Sequence, residues 1–155
     1  MGLLDGKVAI VTGAGRGLGR EEALALAAEG ARVIVNDIGV SVAGEGNDKT
    51  PTASVVDEIK RTGGTAVANY EDIADWKGAE RSIQQAYDTW GQLDILVNNA
   101  GVLRDRMNFN MSEDEFDLVM KVHCKGHFSM IRHACTRWRE AAKQSGHVYG
   151  RVINT

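Results

Sequence analysis

Val8-Ala9-Ile10-Val11-Thr12-Gly13-Ala14-Gly15-Arg16-Gly17-Leu18-Gly19 is the stretch that decides the fold. A β-branched apolar run enters a glycine-dense turn, and an alanine- and leucine-rich segment over 20–29 follows, so the order is strand, turn, helix. Such a turn brings backbone N–H groups and a helix N-terminus up to a phosphate, at positions where a Cβ would block the approach. Spacing separates the phosphate-binding turns from one another. G-x-G-x-x-G read from Gly13 requires glycine at Leu18, and read from Gly15 requires it at Arg20, so neither register fits. A Walker A loop needs Gly-Lys-Ser/Thr where the chain has Leu18-Gly19-Arg20. What fits is Thr12-Gly13-x-x-x-Gly17-x-Gly19, and the expected ligand is a dinucleotide; the alternative is a tight strand-to-helix connection that binds nothing.

Composition narrows the partners. The 155 residues suit one domain over 1–155, with 43% hydrophobic and 25% charged residues, values that argue against disordered, collagen-like and disulfide-scaffold classes. A net charge of −3 offers no basic stripe for nucleic acid or an anionic membrane, so a small molecule is the expected partner. Cys124 and Cys135 have no ligand-like spacing; no metal site is expected, and they read as reduced core thiols of a cytoplasmic protein. No apolar run approaches a membrane span.

Downstream of the turn, Gly30 closes the first helix. Ala31-Arg32-Val33-Ile34-Val35-Asn36-Asp37 then reads as a buried parallel strand ending on a carboxylate. Asp37 falls where an acidic residue accepts hydrogen bonds from the adenosine ribose hydroxyls, and its charge repels a 2′-phosphate, which favours NAD over NADP. A solvated strand end or a helix cap is the plainer reading of Asp37. Arg16 is the one residue of the turn that suits a 2′-phosphate, although it also suits the pyrophosphate.

The polar loop over 38–49 is long enough to cover a ligand. Thr50 and Pro51 are expected as N-cap and first residue of a second helix. A strand over 65–70, a helix from about 76 to Trp90, a strand over 93–97 and the turn Asn98-Asn99-Ala100-Gly101 follow. Ser112 to Glu115 is a capping box opening a long amphipathic helix, with Phe116, Val119, Met120, His123, Met130, Ile131, Ala134 and Trp138 as core or subunit interface. A fifth strand closes the sequence. Strands alternating with crossover helices predict an α/β, Rossmann-type doubly wound parallel sheet, strand order 3-2-1-4-5 in this part, truncated after the fifth strand.

Thr12-Gly13-x-x-x-Gly17-x-Gly19, Asp37, Asp72-Ile73 and Asn98-Asn99-Ala100-Gly101 together resemble the short-chain dehydrogenase/reductase family along the whole chain. Val35-Asn36-Asp37-Ile38-Gly39, Gly64-Thr65-Ala66-Val67-Ala68-Asn69-Tyr70 and Val102-Leu103-Arg104-Asp105-Arg106 are similar to one branch of it. That branch is the (3R)-hydroxyacyl-CoA dehydrogenase part of type 2 peroxisomal multifunctional enzymes and their bacterial relatives.

The resemblance implies that Gly13, Arg16, Gly17, Leu18 and Gly19 surround the pyrophosphate and Asp37 holds the ribose. It also implies that Asp72 and Ile73 flank the adenine, that Asn99, Ala100 and Gly101 line the cofactor's inner side, and that Thr12 struts the 98–100 turn. The implied reaction is hydride transfer between NAD(H) and a secondary alcohol or ketone, a 3-hydroxyacyl-CoA or a steroid among them, in a homodimer or homotetramer.

Family members use a Ser, a Tyr and a Lys. No Tyr-x-x-x-Lys occurs here, since Tyr70, Tyr87 and Tyr149 are followed four residues on by Ala74, Gly91 and Ile153. The chain is therefore expected to carry the cofactor half of a longer dehydrogenase domain and to be inactive alone. The alternative is a non-catalytic NAD-binding module or truncated pseudoenzyme, and a flavodoxin-like binding domain is disfavoured by the turn and Asp37. His123 stands where most members have an Asn of the proton relay, and a neutral imidazole can replace that amide. A satisfied core histidine is the competing reading, and His127 and His133 read as structural.

Overall fold

In the computed structural model of the chain, which describes residues 2–40, 46 and 48–155, five strands form one parallel sheet. They are β1 (Val8–Thr12), β2 (Arg32–Asn36), β3 (Thr65–Asn69), β4 (Ile95–Asn98) and β5 (Arg151–Asn154), in the spatial order β3-β2-β1-β4-β5. This is the expected order. The reversal lies between β1 and β4, where Ala9, Ile10 and Val11 stand opposite Ile95, Leu96 and Val97. The carboxyl ends are level across three strands, with Thr12 opposite Asn36 and Asn36 opposite Asn69.

The helices are α1 (Gly17–Ala28), α2 (Thr50–Arg61), α3 (Trp76–Trp90), α4 (Glu113–Val119) and α5 (His127–Ser145). Every residue of β1 is buried because helices cover both of its faces. Ala9 and Val11 pack with α1 and α2 through Ala23, Ala27, Val55, Val56 and Ile59. Val8 and Ile10 point the other way, onto Ala79, Ile83 and Ala86 of α3 and Met130, Ala134 and Trp138 of α5. Each fully buried Ile, Leu or Val in these layers contributes about 1.5–3 kcal/mol.

Four expectations need correction. The first helix begins at Gly17, three residues before the alanine-rich segment, because the glycine turn winds directly into helical hydrogen bonding. The second starts at Thr50 itself, and the carboxylate that accepts the Thr50 N–H (3.0 Å) belongs to Asp48. The long helix opened by the Ser112–Glu115 capping box is not α-helical throughout, for a π-helical segment, Met120–Gly126, separates α4 from α5. Cys124 and Cys135 are free but exposed. Cys124 sits on the π segment, of which only Gly126 is buried, and Cys135 lies off the Met130–Ala134–Trp138 stripe that faces the core.

The apolar stripe of that helix accordingly divides. Met130, Ala134 and Trp138 are buried, and Trp138 also donates its indole N–H to the Leu93 carbonyl (2.6 Å). Phe116, Met120 and His123 are exposed, as is Phe128, which lies outside that stripe. Of the loop expected over 38–49, residues 41–45 and 47 lie outside the described residues.

Candidate functional site

The site begins with a buried hydroxyl. Thr12, wholly buried at the end of β1, donates to the Val97 carbonyl (3.3 Å) and accepts the N–H groups of Asn99 and Ala100 (3.0 Å each). One donor and two acceptor positions are thus all used. Asn99 returns the tie, its side-chain amide donating to the carbonyls of Thr12 (3.0 Å) and Gly13 (3.1 Å). The glycine turn after β1 and the 98–101 turn after β4 are locked together as one rim.

Two glycines make that rim passable. Gly13 takes φ +63° and lies so close to the 98–101 turn that a Cβ would come 2.8 Å from the Ala100 Cα. Gly17 takes φ +56°, a region that side chains rarely occupy, and starts α1 without a side chain of its own. The first N–H groups of a helix have no partner within it, so this end presents donors and the positive end of the helix dipole. Gly19 packs inward, where a Cβ would meet the Gly13 carbonyl oxygen at 2.5 Å. Leu18 is 74% exposed at the mouth.

Asp37 follows β2 and faces the turn. Its carboxylate accepts from the Gly15 N–H (3.0 Å) and the Gly39 N–H (2.8 Å), which fixes its orientation. Arg16 reaches away from it to Asp48 (3.2 Å), an exposed ion pair. The Thr50 amide, with Arg16 beside it, holds the Asp48 carboxyl below its ordinary range.

Beneath Asp37, the buried Asn36 donates to Asn69 (2.5 Å) and to the Glu71 carbonyl (3.0 Å), joining the ends of β2 and β3. Glu71 is gripped by Arg81 through two bonds (2.8 and 2.6 Å), and that hydrogen bonding keeps its carboxyl below the usual value. Asp72 accepts the Ala74 N–H (2.8 Å), a turn that precedes α3.

On the β4 side two histidines meet the 100–102 backbone. The Nε2 of His123 lies 3.1 Å from the Val102 nitrogen and 2.9 Å from the Val102 oxygen. A single nitrogen accepts from the first or donates to the second, so the tautomer decides which bond is made. The Nε2 of His127 stands 2.9 Å from the Ala100 carbonyl oxygen.

These elements enclose one cleft of ≈ 450 Å³ at the carboxyl ends of the strands. Of the residues expected to hold a ligand, Gly13, Arg16, Gly17, Leu18, Asp37, Asp72, Ile73, Asn99, Ala100 and Gly101 all line it. Gly19 and His123 do not; the first packs the turn, and the ring of the second lies over Gly101.

Residues 7–155 match the family described as short chain dehydrogenase. The chain belongs to the short chain dehydrogenase family. It is 45% identical over 151 residues to peroxisomal multifunctional enzyme type 2 of Mus musculus, covering 97% of this chain and 19% of that protein. It is 47% identical over 158 residues to hydroxyacyl-CoA dehydrogenase ChsB1 of Mycobacterium tuberculosis, covering 98% and 47%. The crystal structure of a short chain dehydrogenase from Mycobacterium avium superposes with a TM-score of 0.90 at 56% identity, covering 99% of this chain and 53% of that one. The chain thus spans about half the length of these relatives or less.

Within this family fold, the cleft also takes in Asn36, Ile38, Val40, Glu71, Val102, Leu103 and Val122, which sequence reasoning did not single out. Asn36, Ile38 and Glu71 adjoin expected residues, and adjacency was the available signal. Val122 adjoins only His123, which itself stays outside the cleft lining, and it arrives on the π segment. Among the described residues, no group of three or more His, Cys, Asp or Glu is placed to hold a metal ion.

Proposed function

We propose that the chain binds NAD(H) and forms the cofactor-holding part of an oxidoreductase acting on a secondary alcohol or ketone. The observation that carries this is the convergence of the first turn of α1, the Asp37 carboxylate and the 99–101 backbone on one cleft. The residues present suit a dinucleotide, because Gly13 and Gly17 leave the helix N-terminus uncovered and Asp37 offers fixed acceptors at the β2 end. Gly13, Arg16, Gly17, Leu18 and Gly19 form the pyrophosphate cradle, with Gly19 acting through its packing. Asp37 holds the adenosine ribose, Asp72 and Ile73 flank the adenine, and Asn99, Ala100 and Gly101 line the inner side. Bound there, the nicotinamide supplies the hydride acceptor or donor.

NAD is favoured over NADP because the Asp37 charge opposes a 2′-phosphate, while Arg16, the cation of the turn, is paired with Asp48. The substrate class, a 3-hydroxyacyl-CoA or a steroid alcohol, is supported by relatives named as hydroxyacyl-CoA dehydrogenase and multifunctional enzyme. His123 is a candidate relay residue, its Nε2 within reach of both a donor and an acceptor at Val102. Exposed Phe116, Met120 and Phe128 support association into a dimer or tetramer, and exposed free thiols suit a reducing compartment such as the cytoplasm. Because the sequence contains no Tyr-x-x-x-Lys, we assign this chain, as one dinucleotide-binding domain, the holding of the cofactor and no turnover by itself. The same observation favours the second reading, a non-catalytic NAD-binding module.

Titration of the purified chain with NADH and NADPH tests the proposal. NADH should bind more tightly, and Asp37→Ala should weaken it by roughly tenfold or more, the value of hydrogen bonds to a charged acceptor. NADPH should lose much less. Equal losses for the two cofactors would refute the ribose assignment.

A further inference from the structure

Ala100 has both of its backbone groups held by side chains from different elements. Its N–H goes to the Thr12 hydroxyl on β1 (3.0 Å), and its carbonyl meets the Nε2 of His127 at the start of α5 (2.9 Å). A carbonyl oxygen only accepts, so His127 carries a proton on Nε2. The imidazole reaches this far because the helix comes in close. Gly126, the residue before it, packs against the Ile73 side chain, and a Cβ there would sit 3.0 Å from the Ile73 Cδ1. His123 crosses the same loop one turn earlier, its ring 6.1 Å from that of His127 and resting where a Gly101 Cβ would come within 2.6 Å of its Cε1. The loop is thus clamped from the β1 side by a hydroxyl and from the helix side by two imidazoles. Among the described residues, the Asn99 carbonyl and the Gly101 N–H keep no partner and stay available to a ligand.

We propose that His127 is a positioning residue of the cleft: by donating to the Ala100 carbonyl it sets the orientation in which the 99–101 peptides meet the dinucleotide. The proposal rests on the reading of the cleft as an NAD(H) site. Loss of the bond frees the Ala100–Gly101 peptide to rotate while Thr12 still holds the Asn99–Ala100 peptide, so ligand affinity falls more than the stability of the fold.

The test is NADH titration of the purified chain and of the variants His127→Phe and His127→Gln, with urea unfolding of each alongside. His127→Phe fills the space without a donor and should weaken NADH by roughly fivefold to tenfold, the worth of one hydrogen bond. His127→Gln, whose amide nitrogen takes the place of Nε2, should bind within about twofold of wild type on the same basis. Nitrogen-15 NMR of the wild type should show the Nε2 of His127 protonated and perturbed when NADH is added. Wild-type binding with His127→Phe unaffected, or with His127→Gln as weak as His127→Phe, would overturn the proposal alone. Absence of NADH binding by the wild type would overturn the cofactor reading and this proposal together.

Discussion

Thr12→Val removes one oxygen from the centre of the site and leaves the side chain's shape almost unchanged. Thr12 is 0% exposed, so no water replaces the hydroxyl. Two N–H groups, of Asn99 and Ala100, lose their acceptor, and the Val97 carbonyl loses a donor. An orphaned buried donor costs about 1–3 kcal/mol, and because Asn99 and Ala100 are only half-buried the lower end applies to each. The expected loss is about 2–3 kcal/mol, a large share of the roughly 5–15 kcal/mol that holds a domain together. At about 2–4 °C per kcal/mol for a chain of this size, the thermal midpoint should fall by roughly 5–10 °C. Thr12→Ser keeps the hydroxyl and gives up one methyl group, so its loss should be about 1 kcal/mol. Urea unfolding of the three proteins measures the order. A Thr12→Val stability within about 0.5 kcal/mol of wild type, or a Thr12→Ser variant equally damaged, would refute the strut as a source of stability.

His133, 5% exposed between α5 and α3, rests against the edge of Trp76 with its Nε2 unpartnered among the described residues. Burial, together with the Arg132 charge, holds its imidazole below the ordinary value of 6.5, while Glu80 and the Trp76 backbone pull the other way. Below pH 6.5 the unfolded chain takes up a proton that the folded chain resists, so this stabilisation is present above that pH and drains away beneath it. His133→Phe should therefore flatten the fall in urea midpoint between about pH 7 and 5, and parallel slopes for the two proteins would sink the assignment. With NADH and a 3-ketoacyl-CoA, the purified chain should show no consumption of NADH above the enzyme-free rate, and measurable turnover would overturn its assignment as a cofactor-holding unit.

The sheet and most of the residues that line its cleft were legible in the amino-acid order alone. Apolar runs of β length alternating with amphipathic segments admit a parallel sheet covered on both faces, and the glycines of the 12–19 turn are demanded by local geometry, positive φ at Gly13 and Gly17 included. Asp37 and the 98–101 turn were legible because strand ends in such a sheet converge on one crevice. The remainder was set by packing between distant parts of the chain. Whether a stripe on the last helix meets the sheet or solvent depends on how that helix packs, and it divides Met130, Ala134 and Trp138 from Phe116, Met120 and His123 and leaves both cysteines outside. The π segment that carries Val122 and His123 has no local sequence signal, because the helix period before and after it is ordinary. The bonds of Thr12 to residues 99 and 100, and of His127 to residue 100, join positions 87, 88 and 27 apart. Periodicity describes neighbours along the chain, and only packing tells which distant carbonyl a histidine will reach.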